Sequence, residues 1–328
     1  MRRAAAAECR RRLRSSAPPA VPEGGTKPTS VFLQYLINGL TIGSFYALVA
    51  LGYTMIYGII RLINFAHGDL FMVGAFMGWT VLGVFSATHA PVAVVLMISL
   101  LVAMAVVGLL AVGMDRIAYQ PLLRASRLSI LITALGVSLA LENGALILFG
   151  AGFDTYPTNL LPTTTFLLGG ATVSWVQVGM FTLSLLLMLL LYLFVQHTAV
   201  GTAMRALSFD QDAARLMGVN VEGVIMITFL LGGVLAAASG VMMGLYYTQI
   251  NFLMGFLMGL RAFTAAVLGG IGNIPGAMVG GLLIGVLQSF AAGYISSQWQ
   301  DVIVFAVLIL VLVVKPTGIF GERVVERM

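Results

Sequence analysis

Apolar residues run along this chain in long blocks, without the alternation of a strand or the one-sided stripe of a soluble helix. The blocks lie at about 31–60, 69–87, 92–114, 129–149, 176–196, 222–246, 259–294 and 301–314. Most reach the roughly 20 residues that a helix needs to cross a bilayer. Strands of a membrane barrel would alternate apolar and polar positions instead. Gly269, Gly270, Gly272 and Pro275 interrupt the block at 259–294 and read as a hinge, two shorter helices joined by a tight turn. The pattern predicts an all-α fold, a polytopic transmembrane helical bundle of about eight or nine membrane segments.

Composition sharpens this. Hydrophobic residues make up 60% of the chain and charged residues 9%, with a mean hydropathy of +1.03, far from soluble averages. The 38 glycines suit helices that approach closely in lipid. The formal charge of +5 belongs wholly to residues 1–30, which hold Arg2, Arg3, Arg10, Arg11, Arg12, Arg14 and Lys27 against Glu8 and Glu23. Beyond them basic and acidic residues balance, so the basicity does not point to nucleic acid. Cys9 is the single cysteine; it permits no internal disulfide and no metal site, and nothing calls for a cofactor. Residues 1–30 are Arg-, Ala- and Pro-rich and read as a disordered tail. No apolar stretch follows the basic run closely enough for a signal peptide.

Charge in the short loops sets orientation. Arg116, Arg124 and Arg127 mark 115–128 as cytoplasmic, Arg205 and Arg215 mark 197–221, and Lys315, Arg323 and Arg327 mark the C-terminus. The loop at 150–175 has no Lys or Arg and falls outside. Three blocks precede residue 115, which would put the basic tail outside as well. Either the tail is absent from the working protein or residues 31–66 cross more than once.

Polar residues inside the blocks are candidates for a translocation path, since ionisable groups in a membrane segment are functional by default. They are Asn38, Tyr46, Asn64, His67, Asp69, Glu142 and Asn251. Asn64, His67 and Asp69 read as path lining or helix capping; with no second cluster of His, Cys or carboxylates, no catalytic or metal site is assigned. A local pairing of Asp69 with Arg61 fits the spacing. Glu142 reads either as a deep functional group or as a hydrated one near the outer interface, and Arg261 as snorkelling or as touching a partner. Ile63-Asn64-Phe65 recurs as Ile250-Asn251-Phe252, each followed by Gly- and Met-rich text. This is either chance in apolar text or an inverted repeat with broken helices, whose interface would hold the substrate path.

Gly201–Glu222 is the largest block of mixed charge after the tail. At helical spacing Ala203, Leu207, Ala214 and Met217 form an apolar set, Asp210 reads as the cap of a second short helix, and Gly218 as its end. Two short amphipathic helices of this kind suit a groove on a soluble partner. An ordinary solvated loop is the plainer alternative.

Asp212-Ala213-Ala214, three residues and Gly218 resemble the Glu-Ala-Ala, three residues, Gly signature of ABC-transporter permeases. Asp replaces Glu, and the usual Leu-Pro further on is missing. LINGLTIGSFYALVALGYTMIYGIIRLINFAHGDL, DRIAYQPLLRAS, INFLMGFLMGLRAFTAAVLGGIGNIPGAMVGGLLIGVLQSF and KPTGI resemble the LivH-type permeases of branched-chain amino acid importers, from about Phe32 to Ile319. Because the resemblance begins there, a start assigned too far upstream is favoured over a targeting presequence. The resemblance implies a permease domain at 31–319, a coupling segment at 197–222 and a cytoplasmic tail at 320–328. In that segment it implies Arg205, Asp212, Ala213, Ala214 and Gly218 as residues that couple to an ATPase. The implied partners are a second homologous permease (LivM-type), two ATP-binding subunits, a periplasmic amino-acid-binding protein and the lipid of a bacterial inner membrane. The chain has no nucleotide motif, so it is expected to be no enzyme, with ATP hydrolysed on a partner. Importers of urea or short amides look similar at this level. An ion-driven secondary transporter would show paired midplane carboxylates, which Glu142 alone does not make.

Overall fold

The computed structural model describes residues 28–61, 63–85, 91–122, 125–157 and 164–321. Nearly all of the basic tail, Arg124, Arg323 and Arg327 lie outside the described residues. The elements in chain order are α1 (Pro28–Ile60), α2 (His67–Phe85), α3 (Val92–Met114), α4 (Arg127–Phe149), α5 (Trp175–His197), α6 (Ala199–Phe209), α7 (Gln211–Leu216), α8 (Val221–Tyr247), α9 (Met254–Gly269), α10 (Ile274–Tyr294) and α11 (Gln300–Val314). Among the described residues seven helices are long and apolar enough to cross a membrane, and α9 and α11 are shorter apolar helices. Four short strands, β1 (Asp154–Thr155), β2 (Thr165–Leu168), β3 (Ala171–Ser174) and β4 (Gln249–Ile250), pair antiparallel as β1–β4 and β2–β3.

Helix starts follow local chemistry. Ser126, Ser174, Thr198, Asp210, Asn220 and Asn273 each accept a backbone N–H of the helix that follows, satisfying donors that would otherwise be orphaned. The interrupted block at 259–294 is one short helix, α9, and one of full length, α10, with Pro275 in the first turn of α10 where its missing N–H costs nothing.

Helix α1 is the centre. Every residue from Thr41 to Ile56 is buried, whereas α4 and α5 expose most of their apolar surface, as lipid-facing helices do. In lipid the hydrophobic effect does not drive helices together, so close backbone contact must do so. The α1–α10 seam achieves it with glycine on both sides. A Cβ on Gly43 would meet the Leu282 backbone, and one on Gly285 would meet Gly43 itself.

The sidedness problem has a plain answer. Helix α1 is unbroken, so residues 31–60 cross once and the second crossing allowed by the sequence does not occur. Near its start, Gln34 Nε2 donates to Thr172 O (3.1 Å) in β3, on the outer side by loop charge. Just past its end, Arg61 meets the end of α6, in the cytoplasmic segment. The start of α1 therefore faces outward.

The C-terminal segment closes the inner side. Ile319 N and Phe320 N donate to Leu268 O (2.9 Å) and Gly269 O (3.0 Å), and Asn273 Nδ2 donates to Phe320 O (3.0 Å). The glycine turn between α9 and α10, where Gly270 and Gly272 have φ of 106° and 94°, is thus braced at a corner.

Candidate functional site

Helices α2 and α9 begin inside the membrane layer. His67 packs on Gly52, eight residues before the end of α1, or about 12 Å along its axis. The described residues between α1 and α2, Arg61 and 63–66, therefore turn back along α1 before α2 starts. Helix α8 ends outside at Tyr247, and residues 248–253 turn back in the same way before α9 starts. The two starts meet. A Cβ on Gly68 would collide with Gly255 and Gly259, and one on Gly255 with Asp69. From this junction α2 runs outward and α9 inward. The recurring Ile-Asn-Phe marks the two turned-back segments, and Arg61 and Thr248, each two residues before it, are the only non-glycine residues with left-handed backbone among those described (φ 57° and 60°).

Asn64, His67 and Asp69 stand on the first of these segments and Asn251 on the second. Asn64 Oδ1 accepts from Tyr119 Oη (2.6 Å), and Asp69 Oδ2 accepts from Ser138 Oγ on α4. Asp69 does not pair with Arg61, whose guanidinium points the other way, to the end of α6. Asp69 lies in the first turn of α2 and against the first turn of α9. His67 lies edge-on to Tyr53, ring centres 4.8 Å apart. Asn64 Nδ2, Asp69 Oδ1 and Asn251 Oδ1 are buried without a protein partner, which suits a path that polar cargo or water visits.

A second polar group joins α1, α9, α10 and α11. Arg261 grips Asp301 with two bonds, Nε to Oδ1 and Nη2 to Oδ2, each 2.8 Å. Its Nη1 reaches Tyr46 Oη (3.4 Å), which in turn donates to Gln288 Oε1. Arg261 therefore neither snorkels nor waits for a partner: a carboxylate on a helix 40 residues away satisfies it, as a buried charge requires. Further out, Asn38 accepts from Gln34 (3.2 Å) and Gln177 (3.1 Å), and Gln177 also reaches Tyr246. Glu142 is partly exposed on α4, one turn outward from Ser138.

The segment at 197–222 folds as two short helices, with Asp210 accepting from the N–H groups of Asp212 (2.9 Å) and Ala213 (3.0 Å). Gly218 follows with φ 86° and nothing near the place of a Cβ, so it is needed for backbone conformation and makes no tight contact. The apolar set divides. Leu207 and Ala214 are buried against the bundle and Ala203 is half-buried, but Met217 is 85% exposed. It sits past the helical end of α7, where the 3.6-residue period that grouped it with Ala214 no longer applies. Phe209 and Leu216 share its exposure, at 80% and 89%. Asp212 and Ala213 are exposed too. Arg205 turns inward onto Gln196, Nη1 to Oε1 at 2.8 Å, and so secures the end of α5.

The sequence gives no sign of Tyr156, and offers Arg61 only a pairing with Asp69. Tyr156 Oη donates to Ala75 O (2.5 Å), its N–H donates to Thr248 O (3.0 Å), and Gly78 and Gly244 make room for its ring. Burial pushes its phenol well above the usual range. No local motif announces either role; only the left-handed positions shared by Arg61 and Thr248 hint at it.

Residues 35–312 match the family model described as branched-chain amino acid transport system, permease component. The chain is 42% identical over 305 residues to the high-affinity branched-chain amino acid transport system permease protein BraD of Pseudomonas aeruginosa, covering 90% of this chain and 98% of that protein. It is 40% identical over 313 residues to LivH of Escherichia coli K12, with the same shares covered. A probable LivH of Methanocaldococcus jannaschii is 29% identical over 292 residues.

Proposed function

Because the chain belongs to the family of branched-chain amino acid transport permeases, we propose that it carries leucine, isoleucine and valine across the bacterial inner membrane as one subunit of an ATP-driven importer. A second, homologous permease completes the path, two cytoplasmic ATP-binding subunits hydrolyse the nucleotide, and a periplasmic receptor delivers the amino acid. The observation that carries the reading is the exposure of Phe209, Leu216 and Met217 at the C-terminal ends of α6 and α7. Large apolar side chains bared on a pair of short helices suit a protein contact. An ATP-binding subunit fits there. Its closure would shift α6 and α7, rock the helices attached to them and open the junction of α2 and α9 to one side and then the other. Asn64, His67, Asp69 and Asn251 would line that junction, with Asn38 and Tyr46 on the outer approach.

Reconstituted in liposomes with its partner permease, ATP-binding subunits and receptor, the protein is expected to accumulate leucine only when ATP is supplied. Uptake driven by a proton or sodium gradient without ATP would sink the reading. Accumulation of urea in preference to leucine would keep the ATP-driven class and change the cargo.

A further inference from the structure

Arg61 occupies a position where helices usually end in glycine. Its N–H donates to Tyr57 O (2.7 Å) to close α1, and its backbone is left-handed, a conformation that a Cβ makes unfavourable. A strained residue at such a place points to a use for its side chain. That side chain sends Nη2 toward the carbonyl oxygens of Ser208 and Phe209, 3.5 Å from each, at the C-terminal end of α6. A fixed positive charge there meets the negative end of the helix dipole. The contact is returned. Gln211, at the start of α7, donates Nε2 to Ile59 O, one of the last carbonyls of α1. Each element thus supplies the hydrogen-bond donor that the end of the other lacks.

This exchange adds hydrogen bonds to the apolar packing of α1 on α6. Helices α5 and α8 are joined to the cytoplasmic segment by the chain itself, whereas α1 lies about 150 residues away and is held from across the fold. Beneath it Met204 and Leu207 are buried, and grooves open between Ile59, Leu207 and Phe209 on one side of the clasp and between Met55, Met204 and Gly272 on the other. Immediately beyond Arg61 the chain turns back into the membrane and reaches Asn64 and His67.

We propose that Arg61 and Gln211 are positioning residues that transmit movement of α6 and α7 to the end of α1 and, through residues 61–66, to the junction of α2 and α9. This rests on the reading of α6 and α7 as the docking segment for an ATP-binding subunit. With the clasp intact, a shift of that segment pulls directly on the stretch that carries Asn64 and His67. Without it, docking and hydrolysis continue but the junction is driven less directly, through packing and through α5 and α8.

The test is ATP hydrolysed per leucine taken up by the complete complex in liposomes. Arg61→Gly relieves the backbone strain while removing the guanidinium, so its melting temperature in detergent should not fall. Its ATP-binding subunits should co-purify as in wild type, and its ATP cost per leucine should rise about tenfold, within the range of known coupling effects. Gln211→Leu should raise the cost in the same direction, and Arg61→Lys should restore part of the loss. Hydrolysis and uptake that fall together, leaving the ratio unchanged, would show the clasp to be structural only and overturn the proposal; so would an unchanged ratio with full activity. Failure of the wild-type complex to use ATP for uptake would instead overturn the reading beneath it.

Discussion

The two turned-back segments share one backbone design and are fastened in opposite ways. Each follows a long helix, passes a left-handed residue, repeats Ile-Asn-Phe and ends at a helix that starts within the membrane. The outer one is held by main chain: β4 pairs with β1 in the register Asp154↔Ile250 and Thr155↔Gln249, and Tyr156 N–H reaches Thr248 O. Tyr156 then pins the strand to α2 through Ala75, and Trp79 Nε1 donates to Thr155 O (3.0 Å). The inner one is held by side chains: Tyr119 Oη donates to Asn64 Oδ1, and Arg61 and Gln211 tie the end of α1 beside it to α6 and α7. A backbone ladder fixes register and resists sliding, whereas single side-chain bonds, worth about 0.5–1.5 kcal/mol net each, are exchanged at little cost. The difference locates the compliant side of the protein next to α6 and α7, and the stiff side at the opposite end of the bundle.

The comparison can be broken most forcibly at Tyr156. Tyr156→Ala empties a buried aromatic site and unties the outer strand, a loss of about 3–5 kcal/mol by the usual scale for large-to-small changes. The melting temperature in detergent should drop sharply, while molecules that remain folded keep the wild-type ATP cost per leucine. An unchanged melting temperature would mean that the outer segment is not held there. A smaller effect is expected at Gly218, where a side chain adds left-handed strain of about 1–2 kcal/mol and meets no neighbour. Gly218→Leu should insert and fold but disturb α7, so less ATP-binding subunit should co-purify; full recovery of that subunit would separate Gly218 from docking. Thr248→Gly gives the finest test. It relieves the strain at the outer counterpart of Arg61 and should stabilise the protein by about 1 kcal/mol, with no change in coupling. A rise in ATP cost for Thr248→Gly would show that the two segments are not as different as their fastenings suggest.

Hydropathy alone made the helical bundle legible, because a residue in lipid must satisfy its backbone within the helix and be apolar. It could not show depth. The apolar block that became α2 has the length of a full crossing, yet the helix begins beside Gly52, well inside. Only the repeated Ile-Asn-Phe hinted at that, through symmetry. In α6 and α7, Asp210 and Gly218 were readable because capping and left-handed turns act over three or four residues. Partners across the fold were not. Arg261 with Asp301, Asp69 with Ser138, and Arg61 with α6 depend on which helices become neighbours, which no local pattern encodes. Met217 misled because a period was extended past the point where the helix stops.

The contact of Gly68 with Gly255 also sets a clock. About 190 residues separate the two starts that must meet, and synthesis at roughly 5–20 residues per second puts about 10–40 s between their appearances. For that interval the segment carrying Asn64, His67 and Asp69 is already in place and has no α9 to lean on. Its polar groups must be kept in water or against the insertion machinery, since lipid would leave them unsatisfied. The last third of the chain is therefore what allows the first third to finish folding.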